Sequence, residues 1–243
     1  MKAMVLAAGL GTRLRPLTND RPKALVEVGG STMLELMLRR LASFGIRDIV
    51  VNTFHFADLL IEYLKTNNNF GMHIEISRED ALLDTGGGIK RAAEFFLRDG
   101  NLDEPLLVHN VDVLSSIDLS AMRDFHLRSA ALATLAVQER STSRYLLFDE
   151  QGLLCGRRAG IDGAPEMARP ATEMRALAFC GIHILSPRIL PLLTETGAFS
   201  IIPAYLRLAG ANERITAFRA DHYRWRDLGK PESVAQAAAE LKS

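Results

Sequence analysis

The chain has 243 residues, 48% of them apolar, enough to bury a sizeable core and long for a single domain. Lysine plus arginine equals aspartate plus glutamate at 29 each, so no overall charge points to nucleic acid or a membrane surface as the main partner. Cys155 and Cys180 are too few for a disulfide framework or a thiolate zinc site, and no run approaches the roughly 18 apolar residues of a membrane span, so reduced core thiols in a cytoplasmic protein are expected.

From the N-terminus, short apolar runs alternate with segments of helical period. MVLAA at Met4 and DIVVNT at Asp48 read as strands, with the helix TMLELMLRRLASFG between them. There Leu34, Met37, Leu38 and Leu41 recur at three and four, Thr32 and Glu35 form a capping box, and Gly45 is placed to end the helix. Next come ADLLIEYLK (helix), MHIEIS (strand), IKRAAEFFLRD (helix), PLLVHNVDV (strand), DLSAMRDFHLRS (helix, opened by Asp118) and ALATLAV (strand). Parallel strands need crossover connections, so this alternation predicts an α/β, Rossmann-like, mainly parallel sheet with helices on both faces.

The rhythm changes after Val137. YLLFDEQGLLCG reads as a hairpin around Asp149 to Gly152, and RALAFCGIHIL as a long buried strand followed by a helix from Pro187. Ser200 is placed to cap a helix through about Leu208, ERITAFRAD and YRWRDLG are strand-like, and Pro231 opens a last helix that runs to the end of the chain. No composition shift marks a linker, so residues 1–243 are expected to form one domain, with halves at about 1–137 and 138–243 sharing a cleft.

Chemistry is expected at the carboxyl ends of the strands, and Gly9 to Arg13 follows the first strand directly. Glycine admits positive φ and close approach of a ligand, exposed N–H groups cradle phosphate oxygens, and Arg13 and Arg15 add charged forks. A plain strand-to-helix turn is the alternative. Leu14 stands where the dinucleotide fingerprint needs a glycine, and the Gly-Lys-Ser/Thr ending of a P-loop is missing. Lys23 lies in a segment returning to the sheet. LLDTGGGIK reads as a close-approach loop or an N-terminal anion or base site ahead of a helix, with a flexible helix entry as the alternative, and the acidic Glu79, Asp80 and Asp84 before it read as solvated. Asp112 and Asp227 follow strands, where carboxylates suit Mg²⁺ and also serve as turn residues. The six histidines show no metal-binding spacing.

In combination, LAAGLGTRLRPLT, RPKALVEV, TGGG, an Asp after the central strand and WRDLGKPE resemble the sugar-1-phosphate nucleotidylyltransferases, or NDP-sugar pyrophosphorylases, along nearly the whole chain. MKAMVLAAG, TGGGI, AFCGIHILSP and HYRWRDLG look most like the branch that uridylylates N-acetylmuramate 1-phosphate in cell-wall recycling, with mannose-1-phosphate guanylyltransferases close behind. The resemblance implies a nucleotide-binding first half and a sugar-binding second half. Ala7, Ala8, Gly9, Gly11, Thr12 and Arg13 would hold a nucleoside triphosphate, with Thr85, Gly86 and Gly87 along base and ribose. Lys23 would bridge the two reacting phosphates, Asp112 and Asp227 would hold Mg²⁺, and Gly181 would line the sugar pocket. Val111, where the family often has glycine, is a departure, and the β-helix of longer members is not expected to follow. A monomer or small homo-oligomer is implied. A non-catalytic nucleotide-sugar sensor is the reading from another class, disfavoured by the joint presence of Arg13, Lys23, Asp112 and Asp227.

Overall fold

The structure is a computed structural model, in which residues 1–241 are described. In chain order the first half comprises β1 (Ala3–Leu6), β2 (Glu27–Val28), β3 (Ser31–Thr32), α1 (Met33–Ser43), β4 (Asp48–Thr53), α2 (Ala57–Thr66), β5 (His73–Arg78), α3 (Asp84–Arg91), α4 (Ala93–Leu97), β6 (Leu106–Asn110), β7 (Val113–Ser115) and α5 (Leu119–Ser129). Then follow β8 (Ala133–Gln138), β9 (Arg144–Phe148), β10 (Leu154–Ala159), β11 (Pro165–Met167), β12 (Arg175–Leu185), α6 (Ile201–Gly210), β13 (Ile215–Arg219), β14 (Trp225–Asp227) and α7 (Pro231–Glu240). The expected continuation of the last helix falls at 242–243, outside the described residues.

Ten strands form one mixed sheet in the order β11-β10-β9-β12-β6-β1-β4-β5, with β8 also on β12 and β13 on β8. Pairing is parallel among β6, β1, β4 and β5, where helices supply the crossovers, and antiparallel from β12 outward to β11, where hairpins suffice. β1 is buried along its whole length, as an apolar run without alternation requires of a central parallel strand. Its side chains alternate across the sheet. Ala3 and Val5 join a core under α1, α2, α5 and α7, while Met4 and Leu6 join a second core under α3, α4 and α6.

Local signals held at several helix ends. Thr32 Oγ1 accepts from Glu35 N at 3.1 Å, Gly45 follows α1 at φ 72°, and Asp118 Oδ1 accepts from Ser120 N and Ala121 N at 2.9 Å. Four expectations are corrected. TGGG is not a loop before a helix but the opening of α3, and the helix expected over IKRAAEFFLRD is divided between α3 and α4. Pro187–Leu192 is a 3-10 segment, as Pro191 lacks the N–H that an α-helix would use there. Ser200 makes no side-chain cap to α6; Thr85 Oγ1 accepts from Ile201 N at 3.0 Å instead.

Candidate active site

The turn after β1 is built around two protein groups, Asn52 and Lys23. Ala7 N and Ala8 N donate to Asn52 Oδ1, at 2.7 and 3.3 Å, at the carboxyl end of the neighbouring β4. Gly11 has φ 64°, the left-handed conformation that favours glycine, and its carbonyl accepts from Leu14 N and Thr18 Oγ1, both at 2.9 Å. A Cβ on Gly9 would lie 3.3 Å from Lys23 Nζ, and one on Gly11 would lie 3.1 Å from Lys23 Cβ. The glycines therefore let the backbone fold over the lysine. Leu14 is buried and anchors the 3-10 segment Thr12–Leu14, leaving Thr12 and Arg13 exposed on its outer side.

Asp112 occupies the turn between β6 and β7, and its Oδ2 accepts from Lys23 Nζ at 3.0 Å. Burial opposes charge on this carboxyl, but Lys23, with a contribution from Arg13, outweighs burial and holds its pKa below the usual carboxylate value. Asp227 ends β14, which pairs antiparallel with β7 so that Asp227 stands opposite Val113, and Leu228 N donates to the Asp112 carbonyl at 2.8 Å. Asp227 Oδ1 accepts from Gly229 N at 2.7 Å. A Cβ on Gly229 would sit 2.8 Å from both Arg13 Nη2 and Asp227 Oδ1. Arg13, Lys23, Asp112 and Asp227, nearly the full chain apart in sequence, thus converge at one edge of the sheet. Gly181 lies beside them at a β12 bulge, with φ 71°, where a Cβ would lie 2.7 Å from Asn110 Nδ2.

Thr85, Gly86 and Gly87 are engaged differently. Gly86 N and Gly87 N donate to Phe199 O at 2.9 and 3.2 Å, and Thr85 Oγ1 serves α6. A Cβ on Gly86 would meet the Phe199 ring at 2.3 Å, and one on Gly87 would meet Gly197 O at 2.8 Å. The protein's own segment 197–201 covers this face.

Glu79 is a correction to the expected solvated acidic cluster. It is only 3% exposed, accepts from Asn52 Nδ2 (2.7 Å) through Oε1 and from Leu83 N (2.9 Å) through Oε2, and so ties the β1 turn to α3. Asp80 and Asp84 are exposed as expected. Asn52 and Asn110 carry no signal of this kind in the sequence motifs. The readable signal was position: Asn52 and Asn110 are polar residues ending otherwise apolar strands on the crevice edge.

These features define an α/β fold with a charged crevice at the carboxyl edge of its sheet, and comparison with known proteins places it. The nucleotidyl transferase family model matches residues 2–243, and the chain belongs to that family, as a sugar-1-phosphate nucleotidyltransferase. It is 38% identical to the N-acetylmuramate alpha-1-phosphate uridylyltransferase of Caulobacter vibrioides, over 98% of this chain and 96% of that one. It is 32% identical to the mannose-1-phosphate guanyltransferase of Yarrowia lipolytica, over 96% of this chain but only 61% of that longer one. The crystal structure of HddC from Yersinia pseudotuberculosis shares the fold, with a TM-score of 0.76 at 22% identity over 99% of both chains. No helix among the described residues is long and apolar enough to cross a membrane.

Proposed function

We propose that the chain transfers a uridylyl group from UTP to N-acetylmuramate 1-phosphate, giving the UDP-sugar and pyrophosphate. The observation that carries the reaction is the convergence of Arg13 and Lys23 with the carboxylates Asp112 and Asp227. A sugar phosphate oxygen attacks the α-phosphorus in line and pyrophosphate leaves. The attacking phosphate is already an anion, so no general base is required. The protein must instead hold two mutually repelling polyanions together and stabilise the charge of the transition state. The turn from Ala7 through Gly11 and Thr12 to Arg13 receives the triphosphate, with Arg13 on its outer phosphates. Lys23 leaves Asp112 to bridge the reacting phosphates. Gly181 lines the sugar side, and Thr85, Gly86 and Gly87 wall the base and ribose.

Mg²⁺ fits the donor set. Asp112 and Asp227 are hard oxygen donors on adjoining segments, the donor type that suits a Mg²⁺ held by one or two carboxylates together with substrate oxygens. When bound, Mg²⁺ supplies neutralisation of phosphate charge. The substrates belong to cytoplasmic pools, and the reading puts the protein there.

UTP is favoured on two grounds. The similarity to the Caulobacter uridylyltransferase spans both chains almost whole. In addition, a carboxylate is the side chain that accepts both guanine N–H donors, and the buried candidate, Glu79, already has both oxygens engaged by Asn52 and Leu83. The second reading, GTP with mannose 1-phosphate, is supported by the guanyltransferase similarity. The deciding measurement is kcat/KM for UTP and GTP, each with the 1-phosphates of N-acetylmuramate, N-acetylglucosamine, glucose and mannose. UTP with N-acetylmuramate 1-phosphate should lead every other pair. A lead of about tenfold for GTP with mannose 1-phosphate, roughly 1.4 kcal/mol in transition-state binding, would reverse the assignment.

A further inference from the structure

Arg140, just beyond β8, sits over Trp225 with its guanidinium carbon 3.8 Å from the ring centroid, and its Nη2 donates to Phe179 O at 2.9 Å. Its Nε is buried without a hydrogen-bond partner. No carboxylate pairs with it among the described residues, since the neighbouring Glu139 and Asp221 are both taken by Arg219, at 3.3 and 2.7 Å. The adjacent Cys180 thiol is pushed up to about 12 by burial, against the pull of Arg140, so it is neutral and offers no countercharge. A cation held this way is fixed in orientation and has no carboxylate partner of its own among the described residues.

Its position gives that charge a use. Trp225 Nε1 donates to Cys180 O at 2.8 Å, so the carbonyls of Phe179 and Cys180 hold Arg140 and Trp225 immediately before Gly181. Gly181 packs on Asn110, two residues before Asp112, and Trp225 stands two residues before Asp227 on β14. Arg140 therefore borders the convergent phosphate site on its sugar side. Stacking on indole leaves little rotamer freedom to lose on binding, and a guanidinium matches a carboxylate with paired N–H donors.

We propose that Arg140 recognises a carboxylate on the sugar 1-phosphate and makes the enzyme selective for an acidic sugar. This rests on the substrate reading above: N-acetylmuramate is N-acetylglucosamine carrying a lactyl ether, so the two 1-phosphates differ only by the group Arg140 is assigned to read. The test compares kcat/KM for both 1-phosphates, with UTP and Mg²⁺, in wild type, Arg140→Ala and Arg140→Lys. Wild type should prefer the acidic sugar. Arg140→Ala should lose at least about tenfold on it while changing less than about threefold on N-acetylglucosamine 1-phosphate, the loss expected for a charged hydrogen bond. Arg140→Lys should fall between them.

Retained turnover of the neutral sugar, with an unchanged melting temperature, shows that the variant is folded. An equal loss on both sugars in Arg140→Ala and Arg140→Lys would mean that Arg140 only braces Trp225 and β14, and would overturn the inference. An acidic preference that survives Arg140→Ala overturns the inference and leaves the substrate reading standing. A wild-type preference for the neutral sugar, or no turnover of either, overturns both.

Discussion

The molecule contains two glycine clusters at the carboxyl edge of its sheet, and they do different work. Around Gly9 and Gly11 the missing side chains make room for Lys23, whose ammonium faces Asp112 in the crevice. At Gly86 and Gly87 the missing side chains make room for Phe199 and Gly197, and the free N–H groups of the first turn of α3 bond to Phe199 O. A glycine run announces close approach; what approaches is decided by the rest of the chain. On the proposed function the first cluster receives the triphosphate, whereas the contacts the second makes are with the protein's own segment 197–201, so the same substitution should damage turnover in one and stability in the other.

Lys23 sharpens the first half of that contrast and carries the largest expected effect. If it meets both reactants where negative charge gathers, Lys23→Ala should lower kcat by about 10²–10³, the usual consequence of removing one preorganised charge-stabilising group, and raise KM for the sugar phosphate. Lys23→Arg should rescue poorly, because a planar fork does not replace a compact ammonium beside Gly9. Steady-state kinetics in both substrates decide it: a change in KM alone would reduce Lys23 to a binding residue.

A smaller effect separates the clusters directly. A methyl on Gly86 would overlap the Phe199 ring and lie 2.9 Å from its backbone oxygen, which cannot swing aside. Gly86→Ala should therefore destabilise the protein by about 1–3 kcal/mol through overpacking. Gly9→Ala meets only the flexible tip of Lys23, at 3.3 Å, so it should unfold in urea within about 0.5 kcal/mol of wild type, as a substitution that meets no backbone does, yet lose turnover. The reverse ranking in urea midpoints would mean that the first turn is the structural one.

This contrast also marks where the sequence was legible. Strand runs and helix periods showed the α/β alternation because each is a local pattern: the MVLAA run became β1, and Thr32, Gly45 and Asp118 ended or opened helices where their chemistry requires it. The convergence of Arg13, Lys23, Asp112 and Asp227 was legible only through the combined motif pattern, since no spacing rule links residues brought together by β7 pairing with β14. The fate of TGGG was not legible. Three successive glycines are poor helix formers, and what holds them in α3 is the segment 197–201, more than a hundred residues later. Glu79 was hidden likewise: an acidic residue between a strand and glycines reads as solvated until Asn52 is known to lie beside it.

The smallest effect tests how the second cluster begins. The first turn places Gly11 in the left-handed region at φ 64°; the second uses Asp84 there, at φ 59°, with Oδ1 accepting from Thr85 N at 2.6 Å. A left-handed residue with a Cβ costs about 1–2 kcal/mol, and a short polar side chain that bonds its neighbour's N–H offsets part of this. Asp84→Gly removes the strain and the hydrogen bond together, so the net change in stability should be under about 1 kcal/mol. Asp84→Ala loses the bond and keeps the strain, and should be less stable than Asp84→Gly by about 1 kcal/mol. Within an ordinary helix alanine exceeds glycine by about that amount, so the order is inverted. Urea denaturation of the two variants reads the order directly. If alanine proves the more stable, position 84 belongs to the helix proper, and the second cluster opens without the left-handed step that the first one needs.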